Sequence, residues 1–116
     1  MYFNFRAEEV PLDGPTSVAL REVPRDLRLG PSFPNPFNPR TTLTYSIPQA
    51  ALVHLGIYDL RGRRVATLVR EWQESGTHAV TWDGRTDTGK SAVTGVYLVR
   101  LVADTQTASR KIVLIQ

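Results

Sequence analysis

Pro34-Asn35-Pro36-Phe37-Asn38-Pro39-Arg40-Thr41-Thr42-Leu43-Thr44-Tyr45-Ser46-Ile47-Pro48 is where the chain changes character. Proline fixes its own φ and restricts the residue before it, so residues 34–39 cannot be helix or central strand. They read as a stiff, extended threshold, with Phe37 the one residue of the run carrying an apolar face to dock against a core end. Directly after it, Leu43, Tyr45 and Ile47 alternate with Thr42, Thr44 and Ser46, the period of a half-buried strand.

Outward from this point the same signal recurs. Residues 51–59 place Ala51, Val53, Leu55 and Ile57 on one face. Residues 64–71 and 77–82 follow as strands, the latter with His78, Val80 and Trp82 on one side. A short edge strand is expected at 91–93, a strong strand at 96–103 with Tyr97, Val99 and Leu101 on one face, and a last strand at 106–115. Turn signals separate them: Asp59 to Arg63 with Gly62 at a positive φ, Glu74-Ser75-Gly76, the polar loop from Asp83 to Lys90 with Gly84 and Gly89, and Asp104-Thr105. Upstream, residues 1–8 alternate weakly (Met1, Phe3, Phe5 and Ala7 against Tyr2, Asn4, Arg6 and Glu8), and residues 16–23 offer a second short strand. Residues 24–39, with prolines at 24, 31, 34, 36 and 39, read as loop. About seven short strands without a helical stretch predict an all-β, Ig-like or fibronectin-III-like antiparallel sandwich over residues 32–116. Residues 1–31 are then an N-terminal extension or linker. Trp82 and Tyr97 are the natural large core residues.

Composition bounds the rest. A chain of 116 residues supports one domain, and its 41% apolar and 22% charged residues are those of an ordinary globular protein. The formal charge is +3, and only two of the fourteen basic residues are lysine. The charges are scattered, which is not a nucleic-acid footprint. The absence of cysteine excludes disulfides and thiolate metal sites. No run approaches the roughly 18 apolar residues of a membrane span. The N-terminus lacks the form of a signal peptide, so export would require a signal on a longer precursor.

Candidate chemistry is sparse, and no cofactor, metal or catalytic residue is expected. His54 and His78 are the only histidines and belong to no hydrolase motif. Asp83, Asp87 and Thr88 could offer oxygens to Ca²⁺, but their spacing fits no calcium loop and suits turns better. Gly84 and Gly89 lack the strand–loop–helix context of a phosphate loop. Trp72 and Tyr58 could form a carbohydrate platform if both are exposed, and otherwise serve packing.

Taken together, the motifs resemble a known family. The run 34–39 followed by residues 41–48 resembles the opening of the C-terminal sorting domains of the type IX secretion system and of the Ig-like domain of the flagellar hook-capping protein. Residues 58–65 resemble the family's strand–turn–strand. Residues 82–89, led by Trp82, precede Gly95-Val96-Tyr97 in the family's order, and residues 110–115 resemble its terminal basic–apolar strand. The resemblance covers about residues 32–116. It implies a non-catalytic sorting and attachment module of an exported bacterial protein, at the cell surface or outside the cell. Outer-membrane secretion and attachment proteins would be the partners. The recognition elements would fall on Gly95, Tyr97, Lys111, Ile112, Val113, Leu114 and Ile115. Two alternatives stay open. One is a filament subunit that pairs with its own kind by donating residues 1–7 to a neighbour's sheet edge. The other is a carbohydrate-binding or adhesion module.

Overall fold

The computed structural model describes residues 26–116. Seven strands form two antiparallel sheets: β1 (Arg28–Leu29), β2 (Thr41–Ile47), β3 (Ala51–Tyr58), β4 (Arg64–Gln73), β5 (Gly76–Trp82), β6 (Gly95–Ala103) and β7 (Gln106–Leu114). One sheet has the order β1-β2-β5 and the other β4-β3-β6-β7. The described residues contain no helix, and therefore none long and apolar enough to cross a membrane. The expected sandwich is thus the observed one. The strands of residues 28–29 lie within the stretch read as loop: β1 pairs Arg28 with Ser46 and Leu29 with Tyr45, so the sheet begins upstream of residue 32. The stretches 1–8 and 16–23, read as strand candidates, lie outside the described residues.

Alternation drives the packing. Leu43, Tyr45 and Ile47 on β2 face Val53, Leu55 and Ile57 on β3, Val99 and Leu101 on β6, and Ile112 and Leu114 on β7, all buried. Burying a side chain of this size is worth about 1.5–3 kcal/mol by area, so this layer is the main favourable contribution to folding. The strands end where the turn chemistry demands. Gly62 and Gly89 take positive φ values of 85° and 87°. Two boundaries differ from expectation. β4 runs on to Gln73, because Leu52 and Ala51 of β3 continue to pair with Trp72 and Gln73. Residues 91–93 form no strand; Ser91 makes a single bridge to Arg85.

β4 carries two register shifts against β3, where Leu55/Gly56 meet Val69/Thr67 and Ile57/Tyr58 meet Ala66/Arg64. Each inserts an extra residue and bends the strand. Gly56 sits at the first shift, and a Cβ there would come within 3.1 Å of the Tyr58 ring. Tyr58 therefore covers its own strand. It lies six residues along β3 from Leu52, the partner of Trp72, which is about 20 Å at the usual rise of a strand. Trp72, 62% exposed, and Tyr58 do not form one platform for a sugar.

Asp59 organises the β3–β4 turn. Its Oδ1 accepts the amides of Arg61 and Arg63 at 2.9 Å each, and its Oδ2 accepts Arg63 Nε at 2.9 Å. The Arg63 backbone bond, more than any other contact, holds the carboxyl below its ordinary range. A depressed folded-state value stabilises the fold above the unfolded value and ceases to do so as pH falls through the folded one. Asp59→Asn keeps the shape and drops the charge. Its melting temperature should lie below wild type at neutral pH, with the gap closing in acid; thermal melts across pH check this, and a pH-independent gap would refute it.

Candidate functional site

The three motifs of the sequence meet at one end of the sandwich. Phe37 comes from the proline-rich run, Trp82 from the end of β5 and Tyr97 from the start of β6. Their rings stack in series on Trp82. Phe37 lies 5.5 Å from it at 52°, and Tyr97 lies 5.6 Å from it edge-on at 77°. Tilted and edge-to-face contacts of this kind add about 0.5–1.5 kcal/mol per pair to the area term. Phe37 is 2% exposed and Trp82 1%. The polar ends are satisfied: Trp82 Nε1 donates to the Arg85 carbonyl at 2.9 Å, and the Tyr97 hydroxyl donates to the Val93 carbonyl at 2.5 Å. Burial pushes the Tyr97 hydroxyl above its ordinary pKa, with the nearby Asp59 charge a lesser cause.

The run 34–39 is a strap, not a spacer standing clear of the sandwich. The Phe37 amide donates to the Val113 carbonyl at 2.9 Å, and the Ile115 amide donates to the Phe37 carbonyl at 2.9 Å. Two residues earlier the side chain of Asn35 continues the same ladder. Its Oδ1 accepts the Val113 amide at 3.0 Å, and its Nδ2 makes a long bond to the Lys111 carbonyl at 3.5 Å. An asparagine amide has the donor and acceptor of a peptide unit, so it can stand in for backbone where the flanking prolines, Pro34 and Pro36, offer no N–H. At the strap's start, the buried Thr41 hydroxyl donates to the Pro34 carbonyl at 2.7 Å. At its end, Pro39 presses on the loop after β5. A Cβ on Gly84 would lie 2.9 Å from the Pro39 carbonyl oxygen, and Gly84 has φ 78°. Both facts restrict this position to glycine.

The residues expected to be read by a partner fall into two groups. Tyr97, Ile112 and Leu114 are buried core. Lys111 and Val113 alternate with them on the outer face of the four-stranded sheet, where Val113 lies opposite Val96 and Lys111 opposite Leu98, and the exposed Ile115 follows directly after β7. Gly95 is half-buried at the start of β6 and lines a shallow depression of 610 Å³. Leu60 and Val93, the latter 77% exposed, are its apolar walls, and Arg61 and Lys90 stand on its rim. Arg63 also lines it but is tied to Asp59 at 2.9 Å. The depression was not foreseen, because its walls come from two loops distant in sequence.

The remaining polar candidates have structural partners. Asp83 Oδ1 accepts the Arg85 amide at 3.0 Å. Asp87 Oδ1 accepts the Thr67 amide at 2.8 Å, and its Oδ2 lies 3.4 Å from Arg64 Nε. These bonds agree with the turn reading of the loop. His78 stacks on Tyr45 at 5.4 Å, and its Nε2 bonds the Glu74 carbonyl at 2.8 Å. His54 is half-buried on the outer sheet face.

Removing the Phe37 ring leaves a cavity beside Trp82, and truncations of this kind cost about 3–5 kcal/mol. Phe37→Ala should show that loss in urea denaturation, and Asn35→Ala a smaller one of about 1–2 kcal/mol. A Phe37→Ala loss under about 1 kcal/mol would mean that the strap does not hold the sandwich together.

A family model described as the FlgD Ig-like domain matches residues 38–107. No curated protein matches the chain. Among solved structures, dimeric latent PorU from Porphyromonas gingivalis is similar with a TM-score of 0.61 and 22% identity, over 78% of this chain and 9% of that one. PorZ from the same organism, a surface component of the type IX secretion system, gives 0.52 and 23% over 78% and 11%. FlgD from Xanthomonas campestris gives 0.52 and 22% over 76% and 66%. At these identities the likeness is one of fold. The chain spans only about a tenth of the two Porphyromonas proteins. With well over half of its residues covered by the family model, the chain belongs to the FlgD Ig-like domain family.

Proposed function

We propose that the domain is a non-catalytic sorting and cell-surface attachment module of an exported bacterial protein, read by outer-membrane machinery of the type IX kind. The observation that carries this reading is the pairing of a closed terminal edge with an exposed terminal stripe. The strap occupies the hydrogen-bonding groups of residues 111–115, so a partner cannot add a strand there. It also holds Lys111 and Val113 on the sheet and Ile115, through its amide, just beyond the strand's end. Beside them Val96, Val93 and Leu60 continue an apolar surface into the depression, with Arg61 and Lys90 at its rim. An apolar floor with a cationic rim suits a protein partner that is apolar at its centre and acidic at its edge.

The fold likeness to PorZ supports the secretion context, and the likeness to FlgD, described for its hook capping in flagellar assembly, supports a structural rather than chemical role. The carbohydrate reading loses its paired aromatics, since Trp72 and Tyr58 sit at opposite ends of β3–β4. The donor segment of the filament reading, residues 1–7, lies outside the described residues.

Deleting the terminal residues is a poor test, because Ile112 and Leu114 are core and the strap would lose its partner. A surface variant separates recognition from folding. With a reporter cargo fused ahead of the domain, Lys111→Glu/Ile115→Asp should keep the wild-type melting temperature. Surface delivery should fall at least about tenfold, the factor given by roughly 1.4 kcal/mol of lost binding. Delivery at wild-type yield by the folded variant would end the proposal.

A further inference from the structure

The sandwich protects three of its four sheet edges by identifiable means. β1 is only two residues long. β7 is covered by the strap over residues 111–115 and carries Arg110 and Lys111 along the same strand. β4 carries two bulges and the charges of Arg64, Arg70 and Glu71, and Asp87 bonds Val65 and Thr67 along its outer side. Short strands, covers, bulges and charges are the devices that keep sheet edges from pairing. Among the described residues, β5 has none of them. Its seven residues, Gly-Thr-His-Ala-Val-Thr-Trp, contain no acidic group, lysine, arginine or proline, and its register with β2 is unbroken from Trp82 to Gly76.

Which groups of β5 point away from the sheet follows from β2. Thr42 exchanges both its backbone bonds with Phe33, and the Thr44 carbonyl accepts the Gly30 amide, so these residues point toward β1. Backbone direction alternates along a strand, which leaves Leu43 and Tyr45 bonded to Val80 and His78. The amides and carbonyls of Thr77, Ala79 and Thr81 therefore point away from the sheet. Nothing among the described residues bonds them. All three residues are exposed.

We propose that this edge pairs with the β5 edge of a second copy, antiparallel and two-fold symmetric about Ala79. The outward groups are self-complementary in that register and not in one shifted by a single residue: Ala79 meets its own counterpart, and Thr77 meets Thr81 of the second copy. About six backbone hydrogen bonds would form, two at each of three facing positions. The side chains at those positions are Thr against Thr and Ala against Ala, without like charges opposed. The outer sheet face is already a hydroxyl ladder, with Thr42 on Thr81 at 3.4 Å and Ser46 on Thr77 at 3.0 Å, and pairing would extend it across both copies. Val80 and His78 on the inner side are only half-buried and would gain cover. One strand pair is a small contact, below the roughly 1,000 Å² of a stable interface, so the dimer is weak and concentration-dependent.

The test uses the full chain. Sedimentation of wild type over a wide concentration range should show a monomer–dimer equilibrium. Amide exchange at Thr77, Ala79 and Thr81 should slow as concentration rises. Thr77→Lys/Thr81→Lys opposes like charges in the proposed register, and Thr77→Lys/Thr81→Glu opposes unlike ones. The first should dimerise at least about tenfold more weakly than the second. Ala79→Pro removes an outward amide without touching the bonds to β2, and should abolish association while keeping the fold. Absence of association in wild type, equal dimerisation of the two double variants, or protection independent of concentration (the edge then being held by a segment of the same chain) would each overturn the proposal.

Discussion

The structure depends on one contact set, the packing of Phe37 and Tyr97 on Trp82. Each ring belongs to a different part of the chain: the strap, the end of β5 in one sheet, and the start of β6 in the other. The trio therefore ties the two sheets and the strap to each other at one end of the sandwich. The surrounding backbone is shaped to allow it. The indole N–H reaches the Arg85 carbonyl because the chain turns back after Asp83, and that turn needs Gly84 both for its φ and for the close approach of Pro39. The Tyr97 hydroxyl in turn fixes the loop before β6 through Val93. A buried aromatic with an unmet polar end would cost about as much as a lost hydrogen bond, so these loops are part of the core's architecture.

The strap solves a problem that a sandwich of this topology has. Its terminal strand ends a four-stranded sheet, and an edge with free amides and carbonyls is a template for unwanted pairing. A run rich in proline cannot form an ordinary covering strand, because three of its six residues lack an N–H. It covers the edge with two peptide-like units only: the side-chain amide of Asn35 and the backbone of Phe37. Arg110 completes the closure, its Nε donating to the Leu29 carbonyl at 2.6 Å and joining β7 to β1 across the sheets. The alternation of Pro with Asn and Phe is thus explained by what faces it.

How much of this was legible follows from the range of each signal. Strands β2, β3 and β6 declare themselves through seven to nine residues of alternation, Tyr97 through its place on the inner face of β6, and Trp82 through its place at the end of the alternating β5. Turns at Gly62 and Gly89 are local, and local chemistry reads them. β1 is two residues flanked by Gly30 and a proline-rich stretch, too short for any period to show, and it exists only because β2 offers an edge. The strap's rigidity and the docking of Phe37 on a core end were legible, but the hydrogen bonds of Asn35 to the terminal strand were not, since they reach residues 76 and 78 positions away. For the same reason, membership in the terminal strand did not distinguish Lys111, Val113 and Ile115 from Ile112 and Leu114, although the alternating pattern marks one set as core once the strand's inner face is known.

The two lateral edges of the sandwich now differ in kind. On one side β1, the strap and β7 interlock, and over residues 111–115 it is the side chains that remain to be read. On the other, β5 has no backbone partner on its outer side among the described residues, in a neutral, unbroken strand. Side-chain recognition on a closed edge favours selectivity, because the wrong partner meets misplaced charge or an unfilled depression. Backbone recognition on an open edge is indifferent to sequence and depends on register alone. Because β5 and β7 lie in different sheets, engagement of one does not consume the groups of the other. Under the two interactions proposed above, one partner would hold the terminal face while a second strand occupied β5, with the trio around Trp82 joining the strap, β5 and β6 between them.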